Sequence, residues 1–328
     1  MPALLEVQDL KTHFFTRQGV VRAVDGISYT VDRGRTVGIV GESGCGKSVG
    51  ALSIVGLVPN PPGRVVGGSI RFDGQELTTM SKREMGRIRG AEISVVFQDP
   101  MTSLNPVMNI RTQLTEGLRF HRGIDGRKAT ARAIELLELV GIPDSARRLK
   151  EFPHQLSGGM RQRVMIAIAL ACSPKLIICD EPTTALDVTI QAQILELLAQ
   201  LQRDSGMAMI LITHDLGVIA GVTDEVIIMY AGTIVEKAPT TQIFHSPQHP
   251  YTRALLASVP RLDGGEREFL EAIPGAPPDL ADPPAGCRFS PRCTERDDCC
   301  RADAPELVGT ASSDHWVACW RHGGSCGL

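Results

Sequence analysis

A glycine-rich run near the start of the chain has the residue types that bind a polyphosphate. The run reads Gly41-Glu42-Ser43-Gly44-Cys45-Gly46-Lys47-Ser48 and lies between an apolar strand, Val37 to Val40, and a helix predicted from Lys47 to Leu57. Glycines let the backbone turn its N–H groups inward, and the helix N-terminus adds partial positive charge. We expect Lys47 to reach the β- and γ-phosphates and the Ser48 hydroxyl to ligate Mg²⁺. The alternative is an incidental glycine turn.

Two adjacent carboxylates follow a second apolar strand. Leu176 to Cys179 predicts a buried strand, and Asp180 and Glu181 come directly after it. Ligands of parallel sheets bind at the carboxyl ends of the strands, so we expect both acids to lie near the bound phosphates. Asp180 would bind Mg²⁺, usually through water, and Glu181 would polarise the attacking water as general base. The pair predicts hydrolysis of the nucleotide.

Cys45, inside the glycine run, has two interpretations. The simpler one is a small residue that the loop tolerates. The other is that the following helix N-terminus lowers the pKa of the thiol and makes nucleotide binding sensitive to oxidation.

The composition is that of a globular protein that does not itself cross a membrane. The chain has 328 residues, of which 43% are hydrophobic and 22% charged, with a formal net charge of −3. This charge argues against a nucleic-acid binder that relies on bulk positive charge. The longest apolar run, Val164 to Cys172, is about half of the ~18 residues that span a bilayer. Glu6 and Asp9 argue against a secretory signal, so we expect membrane contact to come only through a partner.

The first hundred residues are predicted to be mainly strands. Pro59 to Gly68 is rich in Pro and Gly and is predicted as loop. The predicted strands are Leu4 to Phe15, Val21 to Val31, Val37 to Val40, Ser69 to Phe72 and Ile93 to Phe97.

The pattern changes twice further along. Asp99 to about Cys172 is mostly helical, and strand and helix then alternate, which favours a largely parallel sheet covered by helices. Beyond Glu236 prolines are frequent, and we place a boundary near Pro239. The alternating segments are Leu176 to Cys179, Val188 to Arg203, Met207 to Thr213, Leu216 to Gly221 and Glu225 to Tyr230; the helical part includes Ala129 to Val140 and Val164 to Ala171.

Between the glycine run and the carboxylates lies Leu156-Ser157-Gly158-Gly159-Met160, followed by a helix predicted to start near Arg161. With the two earlier motifs in this order, residues 1–240 resemble the ATP-binding cassette (ABC) family. The resemblance implies that Ser157, Gly158 and Gly159 close over ATP held by a second cassette, so that each ATP site is shared between two chains.

The same resemblance assigns further residues. Gln98 matches the family's Q-loop, which senses Mg²⁺ and the γ-phosphate. Ala185-Leu186-Asp187 matches the D-loop at the interface between cassettes, and His214 matches the switch histidine. Phe14 is the aromatic implied to stack on adenine, although it and Phe15 could equally be strand core. The implied nucleotide contacts are Phe14, Gly41, Ser43, Gly44, Cys45, Gly46, Lys47, Ser48, Val49, Gln98 and Asp180, with Ser157, Gly158, Gly159 and Asp187 across the interface; Ser48, Gln98 and Asp180 are the implied Mg²⁺ ligands.

Three stretches narrow the resemblance to ATPase subunits of dipeptide and oligopeptide importers, a group that includes nickel importers. They are Gln98 to Pro106, His249 to Leu256 and Gly286 to Cys293. The resemblance implies a second, homologous ATPase, two membrane permeases and an extracytoplasmic binding protein as partners. It places the chain peripherally at the cytoplasmic face of the cell membrane. The alternatives are a nickel or other small-solute importer, a non-transport ABC ATPase, and a metal-binding redox protein.

Six of the nine cysteines lie near the C-terminus, and a cytosolic setting disfavours structural disulfides and favours metal ligation. The resemblance implies that Cys287, Cys293, Cys300 and Cys319 hold a [4Fe–4S] cluster. Zinc is the alternative metal, Cys299 the alternative third ligand, and free cysteines in a loose tail the alternative to any site. The six are Cys287, Cys293, Cys299, Cys300, Cys319 and Cys326.

The fold predicted from these patterns is α/β. An ABC-type nucleotide-binding domain spans residues 1–240, with a helical subdomain inserted at about 99–172. A small, irregular, cysteine-rich region spans 241–328.

Overall fold

The computed structural model describes residues 2–184, 186–259, 273–310 and 314–322. Ala185 and Cys326 lie outside these ranges. The strands are β1 Leu5–Thr16, β2 Gly19–Val31, β3 Thr36–Val40, β4 Gly63–Phe72, β5 Gln75–Glu76, β6 Ile93–Val96, β7 Leu176–Asp180, β8 Ala208–Thr213, β9 Glu225–Tyr230, β10 Thr233–Pro239, β11 Val308–Gly309 and β12 Trp316–Val317. The helices are α1 Lys47–Ile54, α2 Lys82–Ile88, α3 Pro100–Ser103, α4 Ile110–Arg122, α5 Gly126–Leu139, α6 Ser145–Arg148, α7 Gly158–Leu170, α8 Val188–Ser205, α9 Leu216–Ile219, α10 Thr240–His245, α11 Pro250–Ala257 and α12 Cys299–Ala302.

The main sheet has the order β11-β12-β10-β9-β3-β8-β7-β6. The pairings from β6 through β7, β8 and β3 to β9 are parallel, as the alternation of strands and helices predicts. The remaining edge is antiparallel, because β10 returns directly after β9 and then pairs with β12. Trp316 and Val317 therefore extend the main sheet, although they lie in the cysteine-rich region.

The N-terminal sheet has the order β2-β1-β4-β5 and corrects one expectation. Residues 59–68 were expected to be loop, but β4 begins at Gly63 and pairs with β1. A Cβ on Gly63 would lie 2.7 Å from the Cε1 atom of Phe14, so the glycine makes room for this ring. The pairing shifts register around Gly67 and Gly68, so the glycines of this segment lie within the strand at an irregularity of the ladder.

Between residues 99 and 172 the chain is helical, as predicted, with α3 to α7 in succession. Helix α7 begins at Gly158, not near Arg161, because the Ser157 hydroxyl accepts the Met160 N–H at 3.3 Å and caps the helix. Helix α8 is the longest helix described, and within the described ranges every helix is too short or too polar to cross a bilayer.

The main sheet separates two apolar cores. Along β7, Ile177 and Cys179 face one core while Leu176 and Ile178 face the other, and all four are fully buried. A strand buried on both faces reads as a continuous apolar run, which explains why β7 is evident in the sequence. Phe289 of the cysteine-rich region belongs to the first core, so this region packs on the α/β domain.

Candidate nucleotide site

The phosphate loop connects the end of β3 to the start of α1. Two of its glycines are required by close backbone contacts. A Cβ on Gly41 would lie 2.1 Å from the Met229 carbonyl oxygen, and one on Gly46 would lie 2.1 Å from that of Ala23. Gly46 also has a φ of +103°, which side chains rarely adopt. The loop is therefore held tightly between β2 and β9.

The cation of the loop is buried and held by backbone oxygens. The Lys47 ammonium donates to the carbonyl oxygens of Gly41 at 2.7 Å and of Glu42 at 3.1 Å. These contacts fold the Lys47 side chain back over the loop. When a triphosphate binds there, one of its oxygens can replace a carbonyl oxygen as the acceptor of the ammonium group.

Two oxygen ligands suited to Mg²⁺ lie side by side next to the loop. The Ser48 hydroxyl donates to Asp180 Oδ1 at 2.9 Å, although the residues lie on α1 and β7. Burial raises the pKa of the Asp180 carboxyl, and the nearby Glu181 adds to this effect. Hydroxyl and carboxylate oxygens are ligands that Mg²⁺ prefers, so the donor set fits the ion.

Glu181 is surrounded by the other residues predicted to act in hydrolysis. Its Oε2 atom accepts hydrogen bonds from Gln98 Nε2 at 3.0 Å and from Thr184 Oγ1 at 2.8 Å. The Nδ1 atom of His214 lies 3.4 Å from the same oxygen. Glu181 has a φ of +47°, a strained value for glutamate that is typical of functional positions. The structure thus brings Gln98, Glu181 and His214 together.

Thr184 was not among the predicted site residues. Its hydroxyl fixes the Glu181 carboxylate from within the same turn, three residues further along the chain. The only sequence signal was this spacing, since a hydroxyl three residues from an acid can return to it.

The residues implied to act across an interface lie together, in a different part of the chain. A Cβ on Gly159 would lie 2.9 Å from Ile190 Cγ2, so the start of α7 abuts the start of α8. Asp187 caps α8 by accepting the Ile190 N–H at 3.0 Å. Beside it, Val188 is 83% exposed.

The two candidate aromatics differ in exposure. Phe14 is half-buried beside Gly63, whereas Phe15 is 42% exposed with the Arg64 guanidinium 4.4 Å above its ring. Phe14 therefore packs as part of the N-terminal sheet, and its contact with adenine stays a prediction.

The hypothesis of an acidic thiol at Cys45 is wrong. The side chain is only 5% exposed, and burial raises its pKa, although the neighbouring Lys47 acts in the opposite direction. A buried, protonated thiol is unreactive. Cys45 fits the simpler interpretation of a small residue that the loop tolerates.

The four predicted cysteine ligands line a single cavity near α11. Cys287, Cys293, Cys300 and Cys319 all face this cavity, together with His249. Burial raises the pKa of Cys287 to about 11. Within the described ranges, however, no three His, Cys, Asp or Glu side chains form a group that could hold a metal ion. The donor set therefore suits a thiolate-bound metal, but its present geometry does not form a site.

Cys299 is not available as a ligand, because its sulfur is disulfide-bonded. The sequence disfavours structural disulfides, and this position departs from that expectation. Of the two adjacent candidates, Cys300 is the one whose thiol is free, and it is buried at the cavity wall.

Comparison with known proteins places these features in a family. Residues 24–184 match the family described as ABC transporter, and residues 235–300 match the oligopeptide/dipeptide transporter C-terminal region. The chain is 50% identical over 320 residues to the oligopeptide transport ATP-binding protein AppD of Bacillus subtilis, an alignment that covers 98% of this chain and 97% of AppD. The chain belongs to the ABC transporter ATP-binding family.

Other relatives in this ABC family agree. The dipeptide transport ATP-binding protein DppD of Escherichia coli is 53% identical, with 93% of each chain covered. Among solved structures, the dimeric ATP-binding cassette MJ0796, in a post-hydrolysis state bound to ADP and Pi, superposes with a TM-score of 0.65 at 28% identity. The match covers 72% of this chain and 98% of MJ0796.

Proposed function

We propose that this chain is the ATPase subunit that powers the import of dipeptides or oligopeptides by an ABC transporter. The observation that carries the proposal is the similarity to AppD and DppD, since it covers nearly the whole of each chain and includes the C-terminal region of peptide transporters. ATP hydrolysis needs a cation for the phosphates, ligands for Mg²⁺ and a base for the attacking water. Lys47 would supply the first, Ser48 and Asp180 the second, and Glu181 the third.

In the proposed mechanism, Lys47 and backbone N–H groups of the phosphate loop bind the β- and γ-phosphates of ATP. Ser48 and Asp180 would hold Mg²⁺, and the bound ion would supply positive charge that offsets the charge of the phosphates. Glu181 accepts a proton from the attacking water. Gln98 and His214 orient the Glu181 carboxylate, because both lie at the Oε2 atom of Glu181. From these positions they would also contact the γ-phosphate.

We propose that the ATP sites are shared between this chain and a second, homologous ATPase subunit. Ser157, Gly158 and Gly159 would cover the nucleotide of the partner, with Asp187 at the same interface. The contact between the start of α7 and the start of α8, which groups these residues, and the dimeric state of MJ0796 support this arrangement. ATP then stabilises the closed pair of cassettes, and hydrolysis releases it.

We further propose that the ATPase pair binds two membrane permeases, which receive solute from an extracytoplasmic binding protein. The chain would sit peripherally at the cytoplasmic face of the membrane. The 1–240 and 241–328 regions would be its ATPase domain and its transporter-specific C-terminal region.

We propose that Cys287, Cys293, Cys300 and Cys319 bind a metal centre, a [4Fe–4S] cluster or zinc. Their convergence on one cavity supports this, and closure of the thiols around the metal would complete the geometry. Iron, sulfide and zinc assays on anaerobically purified protein distinguish the two. Iron and sulfide together indicate the cluster, stoichiometric zinc indicates a zinc site, and the absence of all three contradicts the proposal.

The peptide assignment is tested by purifying the membrane complex through a tag on this chain. ATP turnover is then measured with the binding protein and with dipeptides, longer peptides or Ni²⁺. We expect peptides to raise turnover and Ni²⁺ to leave it unchanged. Stimulation by Ni²⁺ alone would replace peptide with nickel as the imported solute.

A further inference from the structure

The cysteine-rich region reaches the phosphate loop through Arg292. The guanidinium makes a two-pronged ion pair with Glu42, with Nη1 2.6 Å from Oε2 and Nη2 3.0 Å from Oε1. The Arg292 side chain is only 4% exposed and that of Glu42 26% exposed. Paired, parallel hydrogen bonds of this kind are both stronger and more directional than a single contact.

Arg292 is itself held in place on its other side. Its Nε atom donates to the Pro274 carbonyl oxygen at 2.9 Å, and Nη2 donates to that of Ile273 at 3.2 Å. Its backbone N–H donates to the Phe289 carbonyl oxygen at 3.0 Å within a tight turn. Because these bonds fix the guanidinium before it meets Glu42, little side-chain entropy is lost in forming the pair.

A second residue of the C-terminal region contacts the same loop position. The hydroxyl of Tyr251, on α11, accepts the backbone N–H of Glu42 at 2.9 Å. Tyr251 is fully buried, and its ring packs against those of Tyr230 and Phe289 with centroids 4.7 and 5.3 Å away. The position of its hydroxyl is therefore set by aromatic packing.

The N–H, the carbonyl oxygen and the carboxylate of Glu42 therefore all form hydrogen bonds. Tyr251 binds its N–H, Lys47 binds its carbonyl oxygen, and Arg292 binds its carboxylate. Without a cation beside it, this carboxylate would repel the triphosphate that the loop binds. The contacts also restrict the backbone next to Gly41, whose conformation directs the N–H groups of the loop.

We propose that Arg292 and Tyr251 are positioning residues for ATP binding. They hold the phosphate loop in its binding conformation, and Arg292 neutralises Glu42. This rests on the nucleotide-binding role proposed for the loop. It gives the C-terminal region a part in the ATP site, in addition to any role in the transporter.

The test compares wild type with Arg292→Met, Glu42→Gln and their double variant in the full-length chain, with mant-ATP binding measured by fluorescence and folding by thermal unfolding. We expect Arg292→Met to weaken mant-ATP binding about tenfold, because a buried charge-assisted pair is lost and Glu42 is left unneutralised. Adding Glu42→Gln to this variant removes the repulsion, so affinity should return to within about threefold of wild type. Arg292→Lys keeps the positive charge but cannot form two parallel hydrogen bonds. Its mant-ATP affinity should lie between that of Arg292→Met and that of wild type.

The control is Arg253→Met, because Arg253 lies on the same helix as Tyr251 but forms a more exposed ion pair, with Glu295 and not with the loop. Its mant-ATP affinity should match wild type. Tyr251→Phe, which leaves the Glu42 N–H without its acceptor, should weaken binding several-fold.

Two results would overturn the inference. One is that Arg292→Met binds mant-ATP as tightly as the Arg253 control does. The other is that Arg292→Met and the double variant lose affinity equally, in step with their unfolding temperatures, which would indicate a merely structural role. Lys47→Ala separates this inference from the function proposed above. If Lys47→Ala also binds mant-ATP normally, the loop is not the nucleotide site at all.

Discussion

Replacing Glu181 with glutamine removes the charge of the proposed base but keeps its shape. The donors from Gln98 and Thr184 both converge on Oε2, and the amide oxygen of glutamine can accept both. Ser48, Asp180 and Lys47 are unchanged, so ATP binding should stay within about threefold of wild type. Loss of a general base slows turnover about 10²- to 10⁴-fold, equivalent to about 3–5 kcal/mol of transition-state stabilisation.

The assay is phosphate release by the purified transporter complex, with mant-ATP affinity measured alongside. Glu225→Gln is the matched control, because Glu225 is paired with Lys237 at 3.2 Å and begins β9, whereas Glu181 follows the end of β7. Turnover by the Glu181→Gln complex within threefold of this control would remove Glu181 from the role of base.

Three further predictions concern the phosphate loop and α11. Gly46→Ala should weaken mant-ATP binding about 100-fold, because the added Cβ would lie 2.1 Å from the Ala23 carbonyl oxygen. Relieving this contact requires the loop to move, at a cost of about 3 kcal/mol in binding free energy. Unchanged affinity would contradict this prediction. Maleimide should label native Cys45 slowly, since burial raises its pKa, and rapid labelling with loss of ATP binding would restore the redox hypothesis. Burial lowers the pKa of His249 to about 3, so the unfolded chain takes up the extra proton and stability falls as pH drops below about 6.5. The control is His249→Asn, which keeps an acceptor for the Tyr251 N–H. When the pH falls from 7 to 5, the unfolding free energy of wild type should drop by about 2 kcal/mol more than that of the variant. Equal drops would contradict the prediction.

The ATPase core was predictable because its signals are local. The glycine loop is flanked by a strand and a helix. Strands β7 and β9 are short apolar runs, and their observed bounds agree with the predicted ones to within one residue. The carboxylates at Asp180 and Glu181 follow from the rule that parallel strands present ligands at their carboxyl ends. Their contacts with Ser48, Gln98 and His214 then follow once the strand order is known.

What the sequence did not reveal depends on contacts between distant segments. Strand β4 includes glycines that read as loop, and only its pairing with β1 makes it a strand. The raised pKa of the Cys45 thiol reflects burial, which outweighs the helix N-terminus used to predict it. Arg292 lies 250 residues from Glu42, and no periodicity or motif links the two positions.

The shared ATP site is tested most directly by Ser157→Arg, through ATP turnover by the purified complex compared with mant-ATP binding to this chain alone. Ser157 caps α7 and lies in the segment that abuts the start of α8, so an arginine there should block the partner's nucleotide and leave Lys47 and its loop intact. We predict that turnover falls at least about tenfold, as expected when a residue that completes a site is lost, while mant-ATP affinity stays within about twofold. Equal loss of turnover and of affinity would contradict a site shared between two chains.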